Sequence, residues 1–168
     1  MDSTSQQELK KLFEYKDGFL IYKTRTSNAI KIGDVVGSKQ KDGGYIQMYF
    51  NKKRVRAHRL IWIYHNGDIP DKFQIDHING IRHDNRIENL RLVTNTQNSY
   101  NRPKSRKSTS GYKGVYWNIR AKKWESKIQI DGILKHLGLF ISKELAYNAY
   151  CKAAKQVQGD YAHQTTKL

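Results

Sequence analysis

The chain has 168 residues, of which 31 are Lys or Arg and 15 are Asp or Glu, so its formal net charge is +16. This length suits one ordinary domain or two small ones, and 38% hydrophobic residues supply only modest cores. The excess of positive charge favours a polyanionic partner, because lysine and arginine contacts to phosphate release counterions. Charge alone does not separate a nucleic-acid-binding protein from one that is merely basic.

Cysteine usage and apolar runs narrow the class of protein further. Cys151 is the only cysteine, which excludes a disulfide within the chain and a zinc site built from several thiolates. The sequence contains neither an apolar signal segment nor an apolar run of membrane-spanning length. We therefore expect a soluble protein of the cytoplasm, with no membrane contact and no obligate protein partner.

The first third of the chain predicts a small antiparallel β element behind a short polar helix over residues 1–12. Residues 13–22 predict a hairpin around a Lys-Asp-Gly turn. Residues 45–50 predict a strand, which a turn joins to a further strand that ends at His58.

The middle third predicts a helix and another hairpin. The apolar run at residues 59–65 predicts a short buried helix. Residues 73–77 alternate as a strand should, and residues 87–93 predict a turn followed by the partner strand. A helix that begins near residue 95 follows and carries Asn98.

The last third predicts a linker and a separate module. Residues 99–110 are basic and serine-rich and lack apolar spacing, which is typical of a linker. After it, the pattern predicts one helix packed on an antiparallel sheet with an Asp-Gly hairpin turn. The three predicted strands and the helix cover residues 114–117, 124–130, 134–140 and 143–157.

The residues from Asp76 to Asn98 carry the candidate chemistry. Asp76 is followed by His77, and two amides come later, at Asn89 and Asn98. An imidazole can take a proton from water near neutral pH, and carboxylate and amide oxygens are ligands that suit Mg²⁺. Asn89 can hold the ring of His77 and fix its tautomer. Each residue alone is more often structural, but together they predict a one-metal phosphodiesterase site acting on nucleic acid.

The HNH endonuclease motif of phage and intron homing endonucleases resembles this segment, which reads DHINGIRHDNRIENLRLVTNTQNSYN, and the preceding HRLIWIYHNGDIP resembles its lead-in. The resemblance implies a ββα-metal finger that holds one divalent ion, Mg²⁺ or Mn²⁺. It implies that His77 is the general base and that Asn89 orients the loop and His77. It also implies that Asp76 and Asn98 are the metal ligands. Asn98 stands where histidine is often found, which leaves the preferred metal open.

The remaining histidines near this motif are predicted to be structural or solvated. His58 is expected to pack at the junction of sheet and helix, and a role beside the site is the less favoured alternative. His83 lies in the loop of the motif, where it can approach a phosphate, but loop histidines are usually only solvated.

The C-terminal module resembles the APETALA-two/ethylene-response-factor DNA-binding domain over residues 111–162. The matching points are Gly114-Val115, Trp124, Ile128, Leu137-Gly138, Phe140 and the helix residues Ala146, Tyr150 and Ala153-Ala154. The resemblance implies that the sheet lies in the major groove of DNA and that the helix packs behind it. A narrow β-ribbon fits the major groove, where base edges can be distinguished.

Two sets of residues are predicted to contact double-stranded DNA. In the linker, the set that follows the phosphate backbone is Arg102, Lys104, Arg106 and Lys107. In the sheet, the resemblance implies by position Lys113, Tyr116, Asn118, Arg120, Lys127, Gln129 and His136. Several arginines of the plant domain are replaced here, by Tyr116, Asn118 and Gln129, so its sequence preference does not carry over. The alternative is a polar sheet face that is simply solvated.

The predicted fold is α+β in three parts. Residues 1–98 form a nuclease domain with an antiparallel β element and the ββα-metal finger, residues 99–110 the linker, and residues 111–162 a three-stranded sheet on one helix. The predicted function is a site-specific DNA endonuclease of the homing type, working in the host cytoplasm if a phage encodes it. Two alternatives stay open: a non-catalytic DNA-binding regulator with a degenerate nuclease motif, and a protein directed at RNA, which the predicted major-groove sheet disfavours.

Overall fold

A computed structural model of the chain describes residues 6–41, 44–102 and 108–162, which divide into two compact units, Met1–Asn95 and Thr96–Leu168. The α+β prediction is confirmed, because the sheets of these ranges are small and antiparallel and a few helices accompany them. Residues 96–98 group with the second unit rather than with the predicted nuclease domain. No helix in the described ranges has the length and apolar character needed to cross a membrane.

In the described residues of the first unit, three small antiparallel sheets accompany two α-helices. Its strands pair as β1-β2, β3-β4-β5 and β6-β7. The elements are α1 (Gln6–Leu12), β1 (Phe13–Lys16), β2 (Phe19–Tyr22), β3 (Ser38–Lys39), β4 (Ile46–Phe50), β5 (Lys53–Arg56), α2 (Ala57–Asn66), β6 (Phe73–His77) and β7 (Leu90–Thr94).

One predicted boundary in this unit is wrong. The strand that was expected to reach His58 ends at Arg56, and α2 begins at Ala57. Ala57, Leu60 and Ile61 are buried on this helix at helical spacing, so the apolar pattern already turns helical before residue 59. His58 therefore lies on the first turn of α2 rather than on a strand.

The core of the first unit is formed by buried apolar residues of α1, β1, β2, β4, α2, β6 and β7, together with Val36. Leu60 and Ile61 of α2 are almost completely buried, as are Leu9 of α1 and Phe13 of β1. The other buried members are Leu20, Val36, Met48, Phe50, Ile75 and Leu90. Two of these residues, Ile75 of β6 and Leu90 of β7, belong to the β6–β7 hairpin. The end of β6 that carries the candidate site is therefore packed against this core.

The second unit contains a three-stranded sheet covered by one helix. Its elements are α3 (Asn95–Tyr100), which begins at the division between the units, then β8 (Val115–Asn118), β9 (Lys123–Ile130), β10 (Ile133–Phe140) and α4 (Lys143–Gln158). The strands are ordered β10-β9-β8. Asp131 and Gly132 have φ of 49° and 83°, as a tight hairpin turn requires. The Ser142 hydroxyl accepts a hydrogen bond from Leu145 N at 3.2 Å and caps α4.

The helix-facing side of this sheet is apolar and closely packed. Ser126 and Ile128 of β9 are 0% and 1% exposed, and the core continues with Val115, Ala146, Tyr147, Tyr150 and Ala154. Gly114 has φ of +74°, and a Cβ there would collide with Lys127 O and the Tyr150 ring. Only glycine allows this close approach. The opposite side of β9 carries Lys127 and Gln129, which alternate with the buried Ser126 and Ile128.

Candidate active site

The β6–β7 hairpin places Asp76 and His77 side by side at the end of β6. In the antiparallel register, Asp76 lies opposite Arg91 and His77 lies opposite Leu90. The two side chains are buried, with residue exposures of 9% and 4%. Polar residues this deep need partners, and the hairpin and the loop at its end supply them.

The loop of residues 78–89 is closed by the side chain of Asn89. Its Nδ2 donates to Asn79 Oδ1 at 3.0 Å and to Asp84 O at 2.7 Å, and its Oδ1 accepts from Asn79 N at 3.0 Å. These bonds occupy both donors of the amide. Asn89 therefore orders the loop, as expected, but the predicted contact with the ring of His77 is made by another residue.

The imidazole of His77 is hydrogen-bonded to Asn85, at 2.9 Å between Nε2 and Oδ1. An amide oxygen has no hydrogen, so Nε2–H donates, and in the neutral ring the lone pair lies on Nδ1. Asn85 is 2% exposed. The sequence does not distinguish this residue, because an asparagine in a polar loop is typical of an ordinary turn.

The β1–β2 hairpin packs against the residues that follow Asn85 in the loop. Gly18 has φ of +86°, and a Cβ there would lie 2.8 Å from Arg86 N. The hydroxyl of Tyr15 accepts a hydrogen bond from Ile87 N at 3.0 Å. The predicted N-terminal hairpin thus has a role in the site: it fixes the segment that holds the imidazole.

His58 packs on His77 inside the unit. The ring centroids are 4.9 Å apart at an interplanar angle of 79°. Burial lowers the pKa of His58 to about 3, and the neighbouring His77, Arg56 and Arg59 act in the same direction, so this ring is neutral at physiological pH. The prediction of a packed His58 is borne out by its burial, and its contact with His77 also places it beside the site.

Opposing effects act on the pKa of His77. Burial lowers it, whereas the hydrogen bond to Asn85 and the carboxylates of Asp76 and Asp84 raise it. Burial is the largest effect, so the pKa lies below its usual value. A neutral imidazole near pH 7 is the form that can accept a proton.

Asp76 forms an ion pair with its cross-strand neighbour. Nε and Nη2 of Arg91 donate to Asp76 Oδ2 at 3.0 and 2.9 Å. Both side chains are mostly buried, at 10% and 15% side-chain exposure for Asp76 and Arg91. Arg91 was not predicted as a site residue, because its ion pair with Asp76 depends on the register of the two strands.

The protein groups at this site could bind a hard divalent cation only together with other ligands, such as water and phosphate oxygens. The described residues contain no group of three or more His, Cys, Asp or Glu that could hold a metal ion. Asp76 supplies one carboxylate, and a carboxylate has enough lone pairs to serve Arg91 and a cation together. Mg²⁺ accepts such sparse ligation, since water and substrate phosphate complete its shell. Asn98 lies on α3 in the second unit, and its role as the second ligand stays a prediction.

The linker residues predicted to follow DNA are only partly described. Arg102 is exposed, whereas Lys104, Arg106 and Lys107 lie outside the described residues. The DNA-contacting role of all four stays a prediction.

The sheet residues predicted to contact DNA lie on β8, β9, β10 and the turns beside them, and several have intramolecular partners. Lys113 Nζ donates to Tyr100 O and Arg102 O at 2.6 and 2.7 Å, and burial lowers its pKa to about 8. Asn118 Oδ1 accepts from Ala121 N, and Gln129 Nε2 donates to Gly132 O. The residues classed as exposed are Tyr116, Arg120, Gln129 and His136.

Glu125 interrupts this otherwise basic surface. Its carboxylate lies 3.0 Å from Lys127 Nζ and 3.3 Å from His136 Nε2. Glu125 thus forms ion pairs with two of the predicted DNA-contacting residues.

Comparisons with known proteins identify a family for the segment that carries the candidate site. The HNH endonuclease family model matches residues 55–100. Protein 3.8 of Escherichia phage T7 is 35% identical over 88 residues, 52% of this chain and 70% of that protein. An uncharacterized HNH endonuclease of Acanthamoeba polyphaga mimivirus is 30% identical over 110 residues, and the chain spans only 56% of its length.

The chain also aligns with a solved structure. The HNH homing endonuclease I-HmuI aligns with 93% of this chain and 82% of its own, at 21% identity and a TM-score of 0.43. The family match ends at residue 100, so the resemblance of residues 111–162 to a plant DNA-binding domain stays a prediction. On the HNH segment and the similarity to protein 3.8, the chain belongs to the HNH endonuclease family.

Proposed function

We propose that the chain is a DNA endonuclease of the homing type that hydrolyses phosphodiester bonds at the Asp76–His77 site. The observation that carries this proposal is the buried His77 ring, which Asn85 holds by Nε2 beside Asp76 within the HNH segment. The net charge of +16 supports a nucleic acid as the substrate.

The proposed reaction is a water attack on phosphorus. His77 takes the proton of the attacking water at Nδ1, while Asn85 keeps Nε2–H in place and so fixes the tautomer. The new P–O bond forms in line with the bond that breaks, which leaves a 5′-phosphate and a 3′-hydroxyl by analogy with the family. Asp76 and Asn98 would hold Mg²⁺ or Mn²⁺, which when bound offsets the charge on the phosphate and the leaving oxygen.

The second unit is proposed to place the cut. Its sheet presents a polar face with Tyr116, Lys127 and His136 on the side away from α4, and an antiparallel ribbon suits the major groove. The linker arginines and lysines would then contact the backbone. Target choice would come from the sheet, and chemistry from the first unit.

One observation favours a second candidate function, a DNA-binding regulator whose nuclease motif does not cut. The ion pair between Arg91 and Asp76 engages the carboxylate that the nuclease needs as a metal ligand. If this pair excludes the metal, the chain would bind DNA without cleaving it.

Nicking of supercoiled plasmid DNA tests the proposal. We expect relaxation with Mg²⁺, none with a chelator, and none with Asp76→Asn, whereas the matched control Asp71→Asn, at an exposed aspartate, cuts normally. Binding of the same plasmid fragment should persist in both variants. Binding by the wild-type protein without any Mg²⁺- or Mn²⁺-dependent nicking would support the regulator instead.

A further inference from the structure

Two arginines lie over one tyrosine ring next to the candidate base. The guanidinium carbon of Arg56 is 4.3 Å from the ring centroid of Tyr45, and that of Arg82 is 5.1 Å from the same centroid. Arg56 ends β5, and Arg82 comes from the 78–89 loop, so two distant segments converge on the ring. We call Tyr45, Arg56 and Arg82 the arginine–tyrosine cluster.

The arginine–tyrosine cluster adjoins the two packed histidines. The Tyr45 centroid is 6.0 Å from that of His77 and 5.4 Å from that of His58. The positive charge of Arg82 acts on the imidazole of His77, and that of Arg56 acts on His58. Positive charge is therefore concentrated beside the ring that is proposed to activate water.

The two guanidinium groups lie close enough together to act on the same stretch of a DNA backbone. Both arginines are exposed, while Tyr45 is half-buried. Each guanidinium carbon is so near the same centroid that the two are closer together than about one Debye length (~10 Å). Like charges this close repel each other, and a bound anion reduces the repulsion. Stacking on an aromatic ring orients a guanidinium by its face, and its N–H edge suits the bidentate recognition of phosphate oxygens.

We propose that Arg56 and Arg82, held over Tyr45, bind the DNA phosphodiester at which His77 activates water. The arginine–tyrosine cluster thus acts as the phosphate-binding part of the site. This assignment rests on the proposed function, and it adds positively charged groups that can stabilise the pentavalent phosphate as its charge increases.

The matched control for this proposal is another arginine on a tyrosine in the same β-sheet. The guanidinium carbon of Arg54 lies 5.6 Å from the ring centroid of Tyr49, and Tyr49 is 66% exposed. Arg54→Gln removes the same charge from the same type of contact. It differs from Arg56→Gln and Arg82→Gln in that no contact links its tyrosine to His77 among the described residues.

The experiment compares these three variants of the full chain in single-turnover cleavage and in duplex DNA binding as a function of salt. We expect Arg56→Gln and Arg82→Gln each to slow cleavage at saturating DNA by roughly 100-fold. The slope of log affinity against log salt should decrease by about 0.9 for each lost phosphate contact. Arg54→Gln should cleave at the wild-type rate. Arg56→Lys should cleave faster than Arg56→Gln but more slowly than the wild type, because lysine keeps the positive charge but lacks the two parallel N–H donors of a guanidinium group.

The outcomes separate this proposal from the nuclease proposal. If both glutamine variants match Arg54→Gln in rate and salt slope, the cluster does not bind phosphate. If the wild-type protein does not cleave at all, the nuclease proposal fails, and the salt slopes alone decide on the cluster. Tyr45→Phe should behave as wild type, whereas Tyr45→Leu should resemble the arginine variants while keeping its thermal unfolding midpoint. If Tyr45→Leu cleaves DNA at the wild-type rate and with the wild-type salt dependence, Tyr45 is not needed to hold the two arginines.

Discussion

Arg91 donates two hydrogen bonds to a single oxygen of Asp76 across the β6–β7 hairpin, at 3.0 and 2.9 Å. The antiparallel register makes the two residues direct neighbours. The pair fixes the direction of the carboxylate and compensates its burial. Because Arg91 already binds Oδ2, a metal ion would have to use the remaining lone pairs of the Asp76 carboxylate.

Arg91→Met is expected to destabilise the protein, because it leaves the carboxylate of Asp76 buried without its ion-pair partner. The expected loss in the free energy of unfolding is about 3 kcal/mol, measured by urea denaturation. Arg54→Met, at an exposed arginine, is the control. An effect of Arg91→Met no larger than that of the control would show that the pair does not stabilise the fold.

Asn85→Ala is expected to slow DNA cleavage by roughly 10- to 100-fold. The reason is that the hydrogen bond from His77 Nε2 to Asn85 Oδ1 fixes the tautomer and the orientation of the imidazole. The ¹⁵N chemical shifts of His77 should show a mixture of tautomers in the variant and a single Nε2–H form in the wild type. Asn85→Asp keeps an acceptor for Nε2–H and should keep that tautomer. A single Nε2–H tautomer in Asn85→Ala would contradict the role given to Asn85.

The candidate base was predictable from sequence, and its immediate partners were not. Asp76-His77 stands out because a carboxylate and an imidazole follow an alternating apolar strand. Asn85 does not, since its contact with His77 depends on how the 78–89 loop closes on itself. That closure is made by Asn89, whose amide was expected on the ring and instead binds Asn79 and Asp84.

In the fold, too, features that depend on adjacent residues were predictable, whereas contacts between distant segments were not. A local signal predicted the Asp131-Gly132 turn, because such a turn is determined by a few adjacent residues of the chain. The start of α2 was misplaced, since β-branched and basic residues before Ala57 continue the strand pattern. The arginine–tyrosine cluster was missed because Tyr45 and Arg82 meet only in the folded unit.

Asp84→Asn is expected to lower stability at neutral pH and to leave it unchanged in acid. The hydrogen bonds from Arg86, with that from Asn79, hold the pKa of the Asp84 carboxyl well below its usual range. A carboxyl whose pKa is lower in the folded state stabilises the protein above the unfolded pKa of about 4, and this contribution is lost as pH falls. The effect is modest, because the side chain of Arg86 is 54% exposed.

Urea denaturation of wild type and Asp84→Asn between pH 7 and pH 2 measures this difference. The two unfolding midpoints should converge as the solution becomes acidic. Asp68→Asn, at an exposed aspartate, is the control and should follow the wild type throughout. A constant difference between Asp84→Asn and wild type at every pH would rule out the carboxylate as its source.

Glu125→Gln is expected to strengthen DNA binding by roughly three- to tenfold at low salt, because it removes a negative charge from the proposed DNA-binding face and releases Lys127. Fluorescence anisotropy with a labelled duplex measures the affinity. Glu144→Gln changes the net charge equally from the first turn of α4. Equal gains for both variants would mean that only net charge matters and that the sheet face has no special role.

His77 is proposed to be the general base of a DNA-cleaving site. Single-turnover nicking of end-labelled duplex DNA with Mg²⁺ tests it with two matched variants, His77→Ala in the buried site and His83→Ala at an exposed position of the same loop. We predict that His77→Ala loses at least about 100-fold in rate with DNA affinity unchanged, and that His83→Ala cuts like the wild type. Nicking by His77→Ala at the wild-type rate would contradict the account.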